Sequence, residues 1–118
     1  MPIIEIQVAE ESEIAVLKSA EKWVKTPGLV DLQVNGFGGV DFNTPGITQD
    51  SLEHSLEAML ASGVTTCLPT IITASETHLQ SCLADLETAR YSSSLAKTMI
   101  AGYHLEGPFL SRLPGFSG

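Results

Sequence analysis

An α/β fold organised as a strand–helix–strand–helix–strand unit is predicted by three features of this 118-residue sequence. Apolar segments rich in β-branched residues begin at Leu29, Val64 and Thr98. Segments with apolar residues at helical spacing lie between them. Gly and Pro stand at the junctions where the period changes, as at Pro27-Gly28 and Gly63. Strands joined through helices run parallel, with right-handed crossovers. Residues 1–25 form a separate N-terminal segment, and residues 26–118 carry the three strands and two helices.

The elements follow in chain order. Ile4-Glu5-Ile6-Gln7-Val8 alternates apolar and polar side chains and reads as an edge or half-buried strand. Ile14, Leu17, Ala20 and Val24 fall near helical spacing, which predicts a helix over 12–24 with Ser12 at its start. Leu29 to Asn35, bounded by Pro27-Gly28 and Asn35-Gly36, has the character of a strand buried on both faces of a parallel sheet. Thr48 to Ser62 places Leu52, Leu56, Met59 and Leu60 on one helical stripe, and Gly63 suits its C-terminal stop. Val64 to Ile72 is the second strand, with Pro69 implying an early end or a local irregularity. Thr73 and Glu76 have capping-box spacing, Ser75 competes as N-cap, and Leu79, Cys82, Leu83 and Leu86 continue a helix to Tyr91. Ser92-Ser93-Ser94 breaks it, and Thr98 to Glu106 returns as the third strand.

Composition narrows the function classes. The net charge is −8, and the six basic residues Lys18, Lys22, Lys25, Arg90, Lys97 and Arg112 are scattered, so the basic stripe of a nucleic-acid groove is missing. No run of about 18 apolar residues exists for a membrane span, and the N-terminus lacks the basic-then-apolar order of a signal peptide. A cytoplasmic location follows as the expectation. Cys67 and Cys82 lie in apolar patterns without the spacing of a zinc knuckle or redox pair, and read as packed free thiols.

The segment Gly102-Tyr103-His104-Leu105-Glu106-Gly107-Pro108-Phe109 ends an apolar run with a carboxylate just before a Gly-Pro stop. Alternation along a strand sends His104 and Glu106 to one face and Tyr103 and Leu105 to the other. Such a carboxylate is suited to metal ligation at a strand end, and equally to a solvated charge. Gln33 and Asn35 also share one strand face.

Three motifs stand in order: PGLVDLQVNGFGGVDF at 27–42, GVTTCLPTIIT at 63–73 and GYHLEGPF at 102–109. Together they resemble the start of the N-acetylglucosamine-6-phosphate deacetylases, members of the amidohydrolase superfamily. The resemblance implies a distorted (β/α)8 TIM-like barrel and a metal-dependent hydrolase that removes acetate from a phosphorylated amino sugar. It matches Glu106 to the metal-binding glutamate and implies one divalent metal ion, with zinc the expected one. His104 is then a hydrogen-bond partner behind that ligand or a satisfied interior histidine. Many amidohydrolases carry a His-x-His metal pair where Gln33 and Asn35 stand. Carboxamides are weaker ligands than imidazoles, so the pattern resembles the single-metal members. The two amides could equally serve only to satisfy buried polar groups.

Length and the remaining residues restrict this reading. A complete barrel takes about 250 residues, so the chain is expected to be the front portion of a longer enzyme and inactive alone. The family's catalytic aspartate and two metal-binding histidines come from later strands. Asp31, Asp41 and Asp50 match none of those motifs. Residues 1–25 are too few for the small β-sandwich that usually precedes the Pro-Gly motif in the family. Gly36, Gly38 and Gly39 suit a tight loop after the first strand better than a phosphate cradle. His54 and His78 fall in predicted helices, face solvent and receive no role. A three-stranded sheet leaves open edges, so a homo-oligomer is expected alongside the amino-sugar phosphate as partner. Two other classes remain open: another amidohydrolase, such as a deaminase or cyclic-amide hydrolase, or a noncatalytic piece that folds by self-association.

Overall fold

The computed structural model describes the backbone of residues 3–9, 12–19 and 22–111, and the side chains of residues 27–111. Three strands come first: β1 (Ile3–Ala9), β2 (Ser12–Ser19) and β3 (Lys22–Pro27). They form an antiparallel sheet in the order β1-β2-β3, with Ile6 opposite Ala15 and Leu17 opposite Val24. β1 stands where alternation places a strand. The helix expected over 12–24 is not formed, because Ile14, Val16 and Val24 are β-branched and suit extended backbone. Pairing of β2 with strands on both sides then satisfies the backbone groups that a helix would otherwise satisfy internally. Ala20, counted in that expected helix, and Arg112, the basic residue nearest a motif, lie outside the described residues.

Six further elements and one short strand pair complete the order of the described residues. β4 (Leu29–Val34) leads into the two-stranded hairpin β5 (Gly36–Phe37) and β6 (Val40–Asp41), followed by α1 (Gln49–Ala61) and β7 (Val64–Ile71). α2 (Glu76–Ser92), α3 (Ser94–Met99) and β8 (His104–Leu105) follow. β4, β7 and β8 make one sheet in that spatial order, and both pairings are parallel. Asp31 lies opposite Cys67, and Thr70 opposite His104. Strand, helix and parallel strand thus alternate as predicted from residue 29 onward.

Local sequence sets the helix ends. Thr48 caps α1: its Oγ1 accepts from the Ser51 N–H, while Ser51 Oγ accepts from the Thr48 N–H. Gly63 has φ +97°, the left-handed backbone after a helix that glycine enters without a Cβ penalty. Its carbonyl then accepts from Leu29 N–H at 2.9 Å, joining the end of α1 to the start of β4. Ser75, not Thr73, caps α2, accepting from the His78 N–H. The Thr73 hydroxyl is used elsewhere, as described below.

The core fills the space between β7 and the helices. Cys67 and Ile71 of β7 meet Leu52, Leu56 and Met59 of α1, Cys82, Leu86 and Ala89 of α2, and Ala96 and Met99 of α3, all buried. Val34 and Phe42 join the same cluster.

Two expectations are corrected here. β4 is not buried on both faces: Leu29, Val30 and Leu32 are 58%, 58% and 63% exposed, and only Val34 is buried. The helices cover one side of the sheet, and no described residue packs on the rest of β4 well enough to exclude water. The third strand does not run from Thr98 to Glu106. Ser93 Oγ accepts from the Ala96 N–H and starts α3, which takes up Thr98 and Met99. Extended pairing begins only with the single bridge from Ile100 to Cys67, and resumes as β8. Pro69 does not end β7. It pairs with Val34 after a register shift between Asp31 and Val34, so the irregularity falls in the pairing.

Gly28 lies where chain and strand pass closest. A Cβ there would stand 1.9 Å from Thr65 Oγ1, and Thr65 is buried on β7. Gly28→Ala is expected to destabilise the fold by about 1–3 kcal/mol through overpacking. Chemical denaturation checks this, and Thr65→Ala in the same chain should return part of the loss.

Candidate active site

In sheets of parallel strands covered by helices, functional groups collect beyond the C-terminal ends of the strands. Gln33 at the end of β4, residues 70–73 at and just past the end of β7, and His104 of β8 with Glu106 just past it meet there. The Glu106 N–H donates to Ile71 O at 2.9 Å, which continues the β7–β8 ladder one residue past β8. Thr73 Oγ1 donates to Glu106 O at 2.7 Å. The Glu106 peptide is therefore held on both sides by the end of β7. Gly107 follows with φ +85°, and a Cβ on it would stand 2.0 Å from Thr73 Oγ1. That close approach requires glycine after the carboxylate.

The side chains of β8 reach across β7 to β4. Gln33 Nε2 donates to Glu106 Oε2 at 3.1 Å, and His104 Nδ1 lies 3.0 Å from Leu32 O. A carbonyl oxygen only accepts, so Nδ1 carries a proton and donates it to Leu32 O. Gln33 and Glu106 come together at the strand ends. No hydrogen bond among the described residues brings Asn35, one residue past β4, to that pair; its backbone carbonyl instead accepts from Phe42 N–H at 3.0 Å and from Asn43 Nδ2 at 3.3 Å.

The glycine-rich loop is tight, as expected, but it is built as a small hairpin, β5 with β6, which its spacing did not predict. Gly38 and Gly39 have φ +59° and +83°, the two positive values that a two-residue turn between strands requires. His54 is exposed on α1 with Nε2 3.2 Å from Gly38 O, so it braces this hairpin. His78 corrects the solvent-facing expectation: it is half-buried, and Nε2 donates to Asn43 O at 2.9 Å. Asn43 itself escaped sequence reasoning. Its Nδ2 donates to Thr70 O at 3.0 Å and its Oδ1 accepts from Ile72 N–H at 2.7 Å. The only signal in the sequence was an Asn-Thr-Pro-Gly turn, which does not show that its side chain bridges two strands.

Two groups near the sheet are held in their neutral forms. Burial, reinforced by the charge of Asp31 across the ladder, pushes the Cys67 thiol up from 9.0 to about 12. Burial and a 2.6 Å hydrogen bond to Glu87 raise the Tyr103 phenol. Cys67 and Cys82 are both free and buried, as their apolar settings predict.

As a metal site this donor set is partial. The Glu106 carboxylate fits one ligand for a divalent cation, whereas Gln33 and Asn35 offer only neutral amides. Among the described residues no group of three His, Cys, Asp or Glu is placed to hold an ion. No described helix is long and apolar enough to cross a membrane.

Comparison with known proteins gives this geometry a family. Residues 24–112 match the family model described as the amidohydrolase family. The chain belongs to the amidohydrolase family. An N-acetylglucosamine-6-phosphate deacetylase of Haemophilus influenzae is 41% identical over 86 residues, covering 73% of this chain and 22% of that protein. An N-acetylgalactosamine-6-phosphate deacetylase of a Shewanella species is 36% identical over 84 residues, covering 71% of this chain and 20% of that one. The crystal structure of N-acetylglucosamine-6-phosphate deacetylase from Pasteurella multocida superposes with a TM-score of 0.61 at 28% identity. That match covers 84% of this chain and 31% of the crystallised one. This amidohydrolase sequence therefore spans about a fifth of the curated relatives it matches. The similarity to deacetylases read from the three motifs is thus shown.

In this amidohydrolase the neutral state of Cys67 has a pH consequence. The folded thiol titrates near 12 and the unfolded one near 9.0, so the folded state binds more protons between those values. The resulting stability is present below pH 9 and is lost as pH rises towards 12. Denaturation from pH 8 to pH 11 should show a steeper loss in the natural chain than in Cys67→Val. Alkylation of Cys67 at pH 8 should be slow until denaturant is added.

Proposed function

We propose that this chain supplies the first strand–helix units of a (β/α)8 barrel in a metal-dependent deacetylase. The reaction is hydrolysis of N-acetylglucosamine 6-phosphate to glucosamine 6-phosphate and acetate. One observation carries the reading. Glu106, one residue past β8, is held by Ile71 and Thr73 through its backbone and paired with Gln33 from β4, beyond the C-terminal ends of the parallel strands. The named relatives and the three-motif order support the reaction class.

Each residue then has a role. Glu106 provides a carboxylate ligand for one divalent cation, with zinc the expected ion. Gln33 donates to one carboxylate oxygen, Oε2, and the other oxygen is the one that would serve the ion. A bound divalent ion would polarise the acetyl carbonyl and make water a stronger nucleophile. His104 fixes β8 against β4 through Leu32 O. Gln33 and Asn35, being neutral, favour one ion over two. Two further metal ligands and a general base are needed for hydrolysis. The described residues of the chain do not contain them, so the chain alone is inactive in this reading. Cationic contacts for the phosphate likewise come from elsewhere in the assembled enzyme. A cytoplasmic setting suits a charged sugar phosphate as substrate.

A second substrate is favoured by the Shewanella relative, whose name specifies the galactosamine epimer. The two sugars differ in configuration at one hydroxyl, and Glu106 would serve the same amide in both. A second reading of the chain itself rests on β4. Its exposed Leu29, Val30 and Leu32 leave apolar surface in water, and about 25 cal/mol per Å² favours covering it with another copy.

Three measurements test these statements. Residues 24–112 exchanged for the matching stretch of the Haemophilus enzyme should retain metal-dependent acetate release, and Glu106→Ala in that chimera should lower it at least a hundredfold. Normal activity in the Glu106→Ala chimera would sink the assignment. The natural chain alone should show no submicromolar zinc site by calorimetry and no acetate release above background. A one-to-one site lost in Glu106→Gln would show that the ligand set is larger than stated. Light scattering at micromolar concentration should give a homo-oligomer, and a stable monomer would remove the self-association reading.

A further inference from the structure

Regular pairing between β4 and β7 ends at Val34 and Pro69. Beyond it β4 turns away into the β5–β6 hairpin, yet β7 continues to Ile71. Strand backbone alternates the edge to which successive residues direct their N–H and C=O groups. Thr70 O and Ile72 N–H thus point to the edge that β4 has left. Ile71 O points to the other edge, where it accepts from the Glu106 N–H at 2.9 Å.

The side chain of Asn43 occupies the vacated edge. Its Nδ2 donates to Thr70 O at 3.0 Å, and its Oδ1 accepts from Ile72 N–H at 2.7 Å. One carboxamide thereby reproduces the donor and acceptor of a strand neighbour. The same Nδ2 lies 3.3 Å from Asn35 O, which ties the departing end of β4 to this rung. The backbone of Asn43 is fixed in turn: its N–H donates to Asp41 Oδ1 at 2.8 Å, and its carbonyl accepts from His78 Nε2 at 2.9 Å. α2, the hairpin and the ends of both strands therefore converge on one residue, the strand ends through its side chain and the other two through its backbone.

Gln33 and Glu106 belong to opposite sides of β7, so their side chains, meeting at 3.1 Å, bridge backbones two strand spacings apart, about 9–10 Å. A small displacement of residues 70–72 separates them. We infer that Asn43 is a positioning residue of the candidate site, whose carboxamide holds the end of β7 so that Gln33 meets the Glu106 carboxylate. The inference rests on the reading of Glu106 as a site residue. Asn43 touches neither side chain and acts only through β7 and Asn35.

The test uses the complete 118-residue chain without metal, labelled with nitrogen-15, and reads the side-chain amide signals of Gln33. Their assignment comes from their loss in Gln33→Leu. Glu106→Gln, which removes the charged acceptor, defines the shift that marks a broken pair. Asn43→Asp keeps the shape but has no donor for Thr70 O, and Asn43→Ser keeps one small hydroxyl. Each should move the Gln33 signals by at least half of the Glu106→Gln shift at neutral pH. Ala89→Gly, a core change remote from the strand ends, should lower Tm while leaving those signals in place. Asn43 variants that lose Tm but keep the natural Gln33 signals would make the residue merely structural and overturn the inference. So would failure of both variants to fold, or Gln33 signals that ignore Glu106→Gln. Because no metal or substrate is present, a failed chimera would overturn the deacetylase reading and leave this result standing.

Discussion

The end of β7 is the constraint on which the rest depends. Residues 70–72 present hydrogen-bonding groups to two edges in a place where one neighbouring strand has left and the other is only two residues long. Unpaired backbone groups at buried residues such as Thr70 and Ile71 cost about 1–3 kcal/mol each. The structure satisfies them from both directions, with the Glu106 peptide on one edge and the Asn43 carboxamide on the other. The carboxylate of Glu106 is placed as a result of that backbone accounting. Gly107 follows from it too, because the Thr73 hydroxyl leaves no room for a side chain next to the peptide it binds.

The same parallel sheet explains why one side is well packed and the other is open. α1, α2 and α3 bury Cys67, Ile71 and their neighbours into a continuous core. Their shared face also sets the chemistry of Cys67, which stays protonated because burial disfavours the thiolate. On β4, Leu29, Val30 and Leu32 retain the composition of an interior strand while lying exposed. That mismatch between residue type and environment is the reason for the self-association reading, in which another copy covers β4.

Capping chemistry divides the chain where periodicity alone does not. Ser75 and Ser93 both accept backbone N–H bonds at helix starts, and Ser93 converts what looks like the beginning of a strand into a helical turn and a half. With Ser75 serving α2, Thr73 is left to bind Glu106 O. A choice between two hydroxyl residues on either side of Ala74 thus connects helix initiation to the candidate site.

The sequence by itself determined the alternation of parallel strands and helices from Leu29 onward, the capped α1, the tight Gly38-Gly39 turn and the buried state of both cysteines. These follow from periodicity, small turn residues and local hydrogen bonding, all of which act over a few positions. It also carried the three motifs that identify the family, and with them Glu106 and Gln33. Only the tertiary structure decided that residues 12–19 and 22–24 lie in strands, since a β-branched segment near helical spacing is settled by whether a partner strand is available. The exposure of β4 was decided at the same level, because burial depends on what packs against a strand. So was Asn43, whose side chain meets Thr70 and Ile72 27 and 29 residues away. A polar turn residue becomes a strand's missing neighbour only when the fold brings an unfinished edge to it.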